Sequence, residues 1–406
     1  MSEAVRDPSL DAHAHTEPET VPTKRFDGFD GLRAVAAVLV LLHHASYPSG
    51  RMYVGHYARQ FTQLDVGVAI FFLISGFLLY RPFALRILTG APEPGVVKFL
   101  LRRAARIFPA YWIALTAIIA VGKITDGRLL GLAQYPKSVM GYLPYYTLTH
   151  IYRNFDEARG GLNQAWTLAV EITFYLFLPL YAWLIRRSSR EASAQNRFRI
   201  QIAGVVALFA VSVAFRSFGY WGPAGRVQQL GEYWIFANLD LFACGMLLAV
   251  LSVGYDLGLA PRRIIDRVAD VGELWWVLAV VVFWVASNAL PVGLNTRPTK
   301  WAGLYKQEFH ALVALLLLVP VVFAHRRVTL ITKLLRQRVV VFMGVVSYGI
   351  YLWHQSWIVQ AVRWQYRPVF TADMLLLVVF AVAVSTATAS ISWFCFERPI
   401  VRRFSR

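Results

Sequence analysis

Charge is what this sequence has least of for its length. Of 406 residues only 16% are Asp, Glu, Lys or Arg, while 57% are hydrophobic and 15% aromatic. A soluble chain of this size needs far more charge to cover its surface, so a water-soluble globular protein is excluded. Cysteine is nearly absent as well. Cys244 and Cys395 are the two present. Both fall in apolar stretches, which argues against a disulfide framework or a cysteine metal site and leaves them as small buried side chains. No residues carry metal-ligand spacing, so no metal is expected. The first 29 residues lack an apolar core and make neither a signal peptide nor a membrane helix. They are expected to form a disordered cytoplasmic tail. No repeat relates the two halves of the chain.

What is abundant is apolar run. About 20 helical residues cross the ~30 Å of bilayer hydrocarbon. Runs of that order recur near 31–48, 66–88, 106–122, 165–185, 199–218, 233–253, 272–291, 308–325, 339–361 and 371–395. The expected fold class is therefore all-α: a polytopic membrane helix bundle of about ten transmembrane helices, spanning residues 30–400, with a basic C-terminal tail over 401–406. The segment 139–152, "VMGYLPYYTLTHIY", is short, aromatic and interrupted by Pro144. It reads as an interfacial or re-entrant piece of an outer loop.

The formal net charge is +18, which raises a nucleic-acid reading that the positions of the charges remove. If successive helices alternate in direction, one side of the membrane collects 26 of the 41 Lys and Arg and the other side 14. This bias sets topology, placing both termini in the cytoplasm of a multi-pass protein of the inner, cytoplasmic membrane. The expected partner is the lipid bilayer, with no nucleic acid.

The first run, "GLRAVAAVLVLLHHASY" (31–47), holds Arg33, His43 and His44 where hydrocarbon would be expected. At 100° and ~1.5 Å per residue, the eleven-residue step from Arg33 to His44 turns to within about 20° of a whole number of turns and rises ~16 Å. Arg33 and His44 share a face, with His43 rotated away from it. Ionisable groups inside a membrane are costly and serve a cavity by default. Further runs add Glu171, Asp240, and Ser347, Tyr351 and His354 at i, i+4 and i+7. Counted from the ends of their helices, Glu171, Asp240 and His354 are expected at the depth of His44. Ahead of the third run, "VVKFLLRRAARIFPAYW" carries Lys98, Arg102, Arg103 and Arg106. Arg103 and Arg106, three apart, could grip a phosphate with their forked donors. Ser75-Gly76 makes a small notch in the second run, where a neighbour or ligand can approach the backbone.

Taken together, these stretches resemble the acyltransferase-3 family of membrane O-acyltransferases, which includes sugar and lipopolysaccharide O-acetylases and macrolide acyltransferases. The residues that carry the resemblance are Arg33 and His44 at Arg-x10-His spacing, "FFLISGFLL" (71–79), Arg103-x-x-Arg106 leading into "RIFP", "WTLAVEITFY" (166–175), "SYGIYLWH" (347–354) and "FERP" (396–399). The resemblance implies a cytoplasmic acyl-CoA donor, with acetyl-CoA the expected one, and a hydroxyl acceptor on a sugar or glycolipid of the bacterial cell envelope. Its site would use His44 as general base, with Arg33 essential beside it and Glu171 orienting or neutralising the imidazole. Arg33, Arg103, Arg106 and Ser75 would take the donor. Asp240, His354, Tyr351 and Trp166 would take the acceptor. No fused SGNH hydrolase-like domain is expected.

A covalent acyl-histidine relay is the mechanistic alternative to direct transfer. The functional alternative is a transporter or flippase of an envelope glycolipid or sugar, with the buried His, Glu and Asp relaying protons. A purely structural membrane subunit leaves the buried polar groups unexplained. Aromatic outer segments such as 142–152 and 363–366 could stack on sugar rings or serve as the interfacial belt.

Overall fold

The computed structural model describes residues 26, 28–92, 95–124, 138–158, 160–221, 230–290, 300–323, 328–365, 368 and 370–405. The expected N-terminal tail lies outside the described residues as far as residue 25. At the other end the chain is helical through Ser405. Ten long helices carry the fold: α1 Phe29–Ser46, α2 Val66–Thr89, α3 Val96–Ile124, α4 Ala165–Ser188, α5 Ala194–Trp221, α6 Leu239–Asp256, α7 Leu274–Ala289, α8 Lys300–Val322, α9 Ser347–Gln365 and α10 Met374–Ser392. No strand occurs among the described residues. A helix satisfies every backbone N–H and C=O within its own segment, which hydrocarbon demands of any chain that crosses it.

Among the described residues, eight helices are long and apolar enough to span a membrane. A ninth span arises if Arg262–Asp270 and α7, bent by 75° at their junction, are taken together. The tenth expected span is α9. Its run, expected as one helix over 339–361, breaks at Val346 into Arg338–Val345 and α9. His354, Gln355, Gln360 and Arg363 keep α9 well below its neighbours in apolar character. The segment 139–152 is a short helix, Val139–Tyr146, with Pro144 inside it and a single 3-10 turn after it.

At the centre α2 crosses α6. Gly76 sits on the Phe242 carbonyl and Gly245 on that of Leu73, so close that a Cβ on either would force the backbones apart. The Ser75-Gly76 notch is thus filled by a neighbouring helix at Gly76, while Ser75 opens the other way. Beside the crossing, the Phe242 ring stacks between Phe72, at 4.7 Å, and Phe174, at 4.0 Å. These contacts lock α4 against the α2–α6 pair and give the site a rigid floor.

One anchor fixes the depth of α4. Gln164, just ahead of it, is buried and donates to the carbonyl oxygens of Leu352 at 2.7 Å and Tyr351 at 3.2 Å. The first turn of α4 therefore lies inside the bundle, level with the second turn of α9. At ~1.5 Å per residue, Glu171 is about 10 Å further along. Its expected place at the depth of His44 is corrected here, because the helix end from which it was counted is itself buried.

Candidate active site

A cavity of about 90 Å³ is lined by residues of α1, α2, α3, α4 and α9. Arg33, Ser75, Arg103, Arg106, Glu171, Tyr175 and Tyr351 line its polar side, and Phe71, Phe72, Leu78 and Leu79 its apolar side. Arg33 Nη1 donates to Asp30 Oδ1 at 3.0 Å, an i,i+3 pair on the first turn of α1. Its guanidinium lies within electrostatic reach of both Arg106 and Glu171. Arg103 sits 6.0 Å from the ring centroids of Phe99 and of Tyr175, held between two aromatic walls. Ser75 donates its hydroxyl to Glu171 Oε1 at 2.7 Å. Three arginines thus converge on a cavity that one carboxylate lines directly. The excess positive charge suits an anionic, forked ligand such as a diphosphate.

Eleven residues along α1 from Arg33 lies a second polar level. His354, buried on α9, places Nε2 3.1 Å from Nδ1 of His44 on α1. His354 Nδ1 in turn faces the carbonyl oxygens of Tyr351 at 2.8 Å and Ile350 at 3.2 Å. Carbonyl oxygens only accept, so in the neutral ring Nδ1 carries the proton and Nε2 presents a lone pair to His44. His44 Nδ1 meets that lone pair and the Val40 carbonyl, 3.0 Å away, so it too carries its proton. The remaining nitrogen, His44 Nε2, is left unprotonated. This is the state a general base requires.

Tyr351 joins the two levels. It lines the cavity, its hydroxyl is 2.8 Å from Thr167 Oγ1, and its ring centroid is 5.7 Å from that of His354. His43 turns away to the Phe61 carbonyl at 3.1 Å, on the side of Asp65, Lys306 and His310. Burial alone would raise the Asp65 carboxyl, but Lys306 at 2.6 Å and nearby His310 outweigh it and hold it well below the usual carboxylate range.

The expected site residues therefore divide. Arg33, Arg103, Arg106, Ser75, Glu171 and Tyr351 line one cavity, and His44 pairs with His354 above it. The histidine's hydrogen-bonded partner is His354; Glu171 bonds Ser75 among the arginines instead. Asp240 and Trp166 lie elsewhere. Asp240 Oδ1 accepts from Ser212 at 3.1 Å and Gln307 at 3.2 Å, and Trp166 packs edge-on against Tyr233 with centroids 5.5 Å apart. Neither lines the cavity. Asp30 and Tyr175 are among the participants that escape the sequence reading. Each had a signal in the helical neighbour rule, Asp30 three residues before Arg33 and Tyr175 four after Glu171. Among the described residues, no group of three or more His, Cys, Asp or Glu could hold a metal ion.

Residues 26–395 match the model of a protein family described as an acyltransferase domain. Nodulation protein 10 of Rhizobium leguminosarum bv. viciae is 27% identical over 412 residues, covering 93% of either chain. O-acetyltransferase OatA of Staphylococcus aureus (strain NCTC 8325 / PS 47) is 22% identical over 387 residues, covering 93% of this chain and 57% of the staphylococcal one. The chain thus spans little more than half the length of that relative. No solved structure matches.

Proposed function

The chain belongs to the acyltransferase-3 family, and from that premise we propose that it transfers an acetyl group from cytoplasmic acetyl-CoA to a hydroxyl of an envelope sugar or glycolipid on the outer face. The single observation that carries this reading is the pairing of levels along α1. Arg33 lines an arginine-rich cavity, and eleven residues on, His44 meets His354 with one nitrogen left as a base.

The residues fit an acyl-CoA in charge and order. Arg33, Arg103 and Arg106 would hold its diphosphate, Ser75 would lie along the arm, and the thioester would supply an activated acyl carbon near His44. In direct transfer His44 Nε2 removes the proton from the acceptor hydroxyl as that oxygen attacks the thioester carbonyl. A C–O bond forms, the C–S bond breaks, and His44 returns the proton to the departing sulfur. His354 keeps His44 in the required tautomer, a positioning role in place of the acceptor contact expected from the sequence. Glu171, bonded to Ser75, offsets the mutual repulsion of Arg33, Arg103 and Arg106. Tyr351 remains on the acceptor side of the cavity, one turn from His354.

The deciding experiment incubates the purified protein in proteoliposomes with radiolabelled acetyl-CoA and a cell-envelope extract. Alkali-labile label in a sugar or lipid fraction is expected. Movement of unlabelled glycolipid across the bilayer with no label transferred would replace the enzyme reading with that of a flippase.

A further inference from the structure

A second cavity, of about 600 Å³, opens where the ends of α2 and α4 meet the start of α5. Its size falls within the roughly 300–1,000 Å³ of small-molecule sites. Trp183, Arg186, Arg187, Arg190 and Arg197 line it, with Gly90 at its rim, and no carboxylate is among its described lining residues. Two of the arginines are fixed by main-chain carbonyls. Arg186 donates to Ala91 O at 2.6 Å and Gly90 O at 3.4 Å, and Arg197 donates to Arg190 O at 3.1 Å. Arg187 and Arg190 are exposed. The positive-inside bias explains the sign of these charges, but not their convergence on one cavity with an indole for a wall.

Its location is more telling. Leu79 and Tyr175 line the first cavity, while Gly90 and Arg186 line the second. Tyr175 and Arg186 are eleven residues apart on α4, a step that returns to within about 20° of the same face and rises ~16 Å, and Gly90 is the cap that closes α2 eleven residues past Leu79. The second cavity therefore lies below the first along one face of α4, at the end of α2. A diphosphate held at Arg33, Arg103 and Arg106, with its acyl arm directed at His44, has its nucleoside end directed at the second cavity.

We propose that the Trp183, Arg186, Arg187, Arg190 and Arg197 cavity is the nucleotide subsite of the donor, taking the ribose 3′-phosphate of acyl-CoA on its arginines with the adenine against Trp183. This rests on the acyl-CoA reading of the first cavity and deepens it. Arg187 and Arg190 supply forked donors to the phosphate, and the carbonyl bonds of Arg186 and Arg197 hold the rim in shape. An anionic phospholipid headgroup offers the same phosphate chemistry. Trp183 borders the exposed apolar stripe of Leu176, Leu180 and Leu184, so the test must separate the two sources.

The test is calorimetric titration of the purified protein and of an Arg187→Gln/Arg190→Gln variant with CoA, dephospho-CoA and adenosine 3′,5′-bisphosphate. The wild type should bind CoA at least tenfold tighter than dephospho-CoA. The variant should lose that preference and its affinity for the bisphosphate, while binding dephospho-CoA as the wild type does, which also shows that it is folded. A preference that survives in the variant, or a loss shared equally by CoA and dephospho-CoA, overturns the subsite and leaves the donor reading intact. A wild type that binds neither CoA nor dephospho-CoA removes the donor reading itself and the subsite with it. Native mass spectrometry supplies the second arm: an anionic phospholipid carried by the wild type and lost from the variant, with CoA preference unchanged, assigns the arginines to a headgroup instead.

Discussion

His354 Nε2 faces His44 Nδ1 at 3.1 Å, and the carbonyl oxygens behind His354 determine which nitrogen of the pair carries each proton. A side chain that still accepts a hydrogen bond at this point should preserve the base, and one that cannot should not. His354→Gln is expected to retain transfer within about tenfold, whereas His354→Leu loses roughly 10²–10⁴-fold, the usual range for general-base catalysis. Nitrogen NMR of histidine-labelled protein provides a readout independent of turnover. His44 Nδ1 should carry the proton in the wild type and the Gln variant, and share it with Nε2 in the Leu variant. Equal losses in both variants, with the tautomer unchanged, would reduce His354 to a packing residue.

The two adjacent histidines should behave differently. His44→Ala is expected to abolish transfer while the protein inserts and folds normally. His43→Ala, which removes the bond to Phe61 and an edge-on ring contact with His44 at 5.4 Å, should be much milder. Rates at matched expression decide it, and equal loss from both would show that the base is not His44 alone.

Arg103→Ala and Arg106→Ala should each weaken CoA binding by the ~1.5–3 kcal/mol of a hydrogen bond to a charged group, or roughly ten- to a hundredfold. Acceptor affinity should barely move. Calorimetry that finds CoA binding intact in the double variant would relocate the phosphate clamp.

Glu171 offers a sharper test, because its bond to Ser75 places it with the arginines. Glu171→Gln leaves Arg33, Arg103 and Arg106 less neutralised. It should alter donor affinity while the pH profile of the maximal rate stays where it was. A shifted profile with unchanged donor binding would return Glu171 to the imidazole.

The proposed sidedness can be tested at the end of α1. Tyr47, one turn beyond His44, is 48% exposed. Cys395, expected to be buried, is exposed, so in a background with it replaced Tyr47→Cys should react with a membrane-impermeant thiol reagent added outside intact cells. Labelling confined to inverted vesicles would reverse the topology and with it the outer-face product.

Much of this was legible in the chain itself. Apolar runs long enough to span a bilayer identify a helix bundle, because composition and length alone satisfy the demands of hydrocarbon. The Arg33–His44 lane was readable because one α-helix is a rigid ruler, and an eleven-residue step on it has a defined phase and rise. The break at Val346 was less so, since an apolar run continues across it. What only the tertiary structure decided was how the rulers sit against one another. Glu171 falls among the arginines because Gln164 hangs the start of α4 from the second turn of α9, inside the bundle. Asp240 bonds Ser212 and Gln307 through Oδ1, away from the cavity, and His354 becomes the partner of His44. Depth counted along one helix is local geometry. The offset between helices is set by side-chain packing and long-range hydrogen bonds, and these form only when residues far apart in the sequence meet.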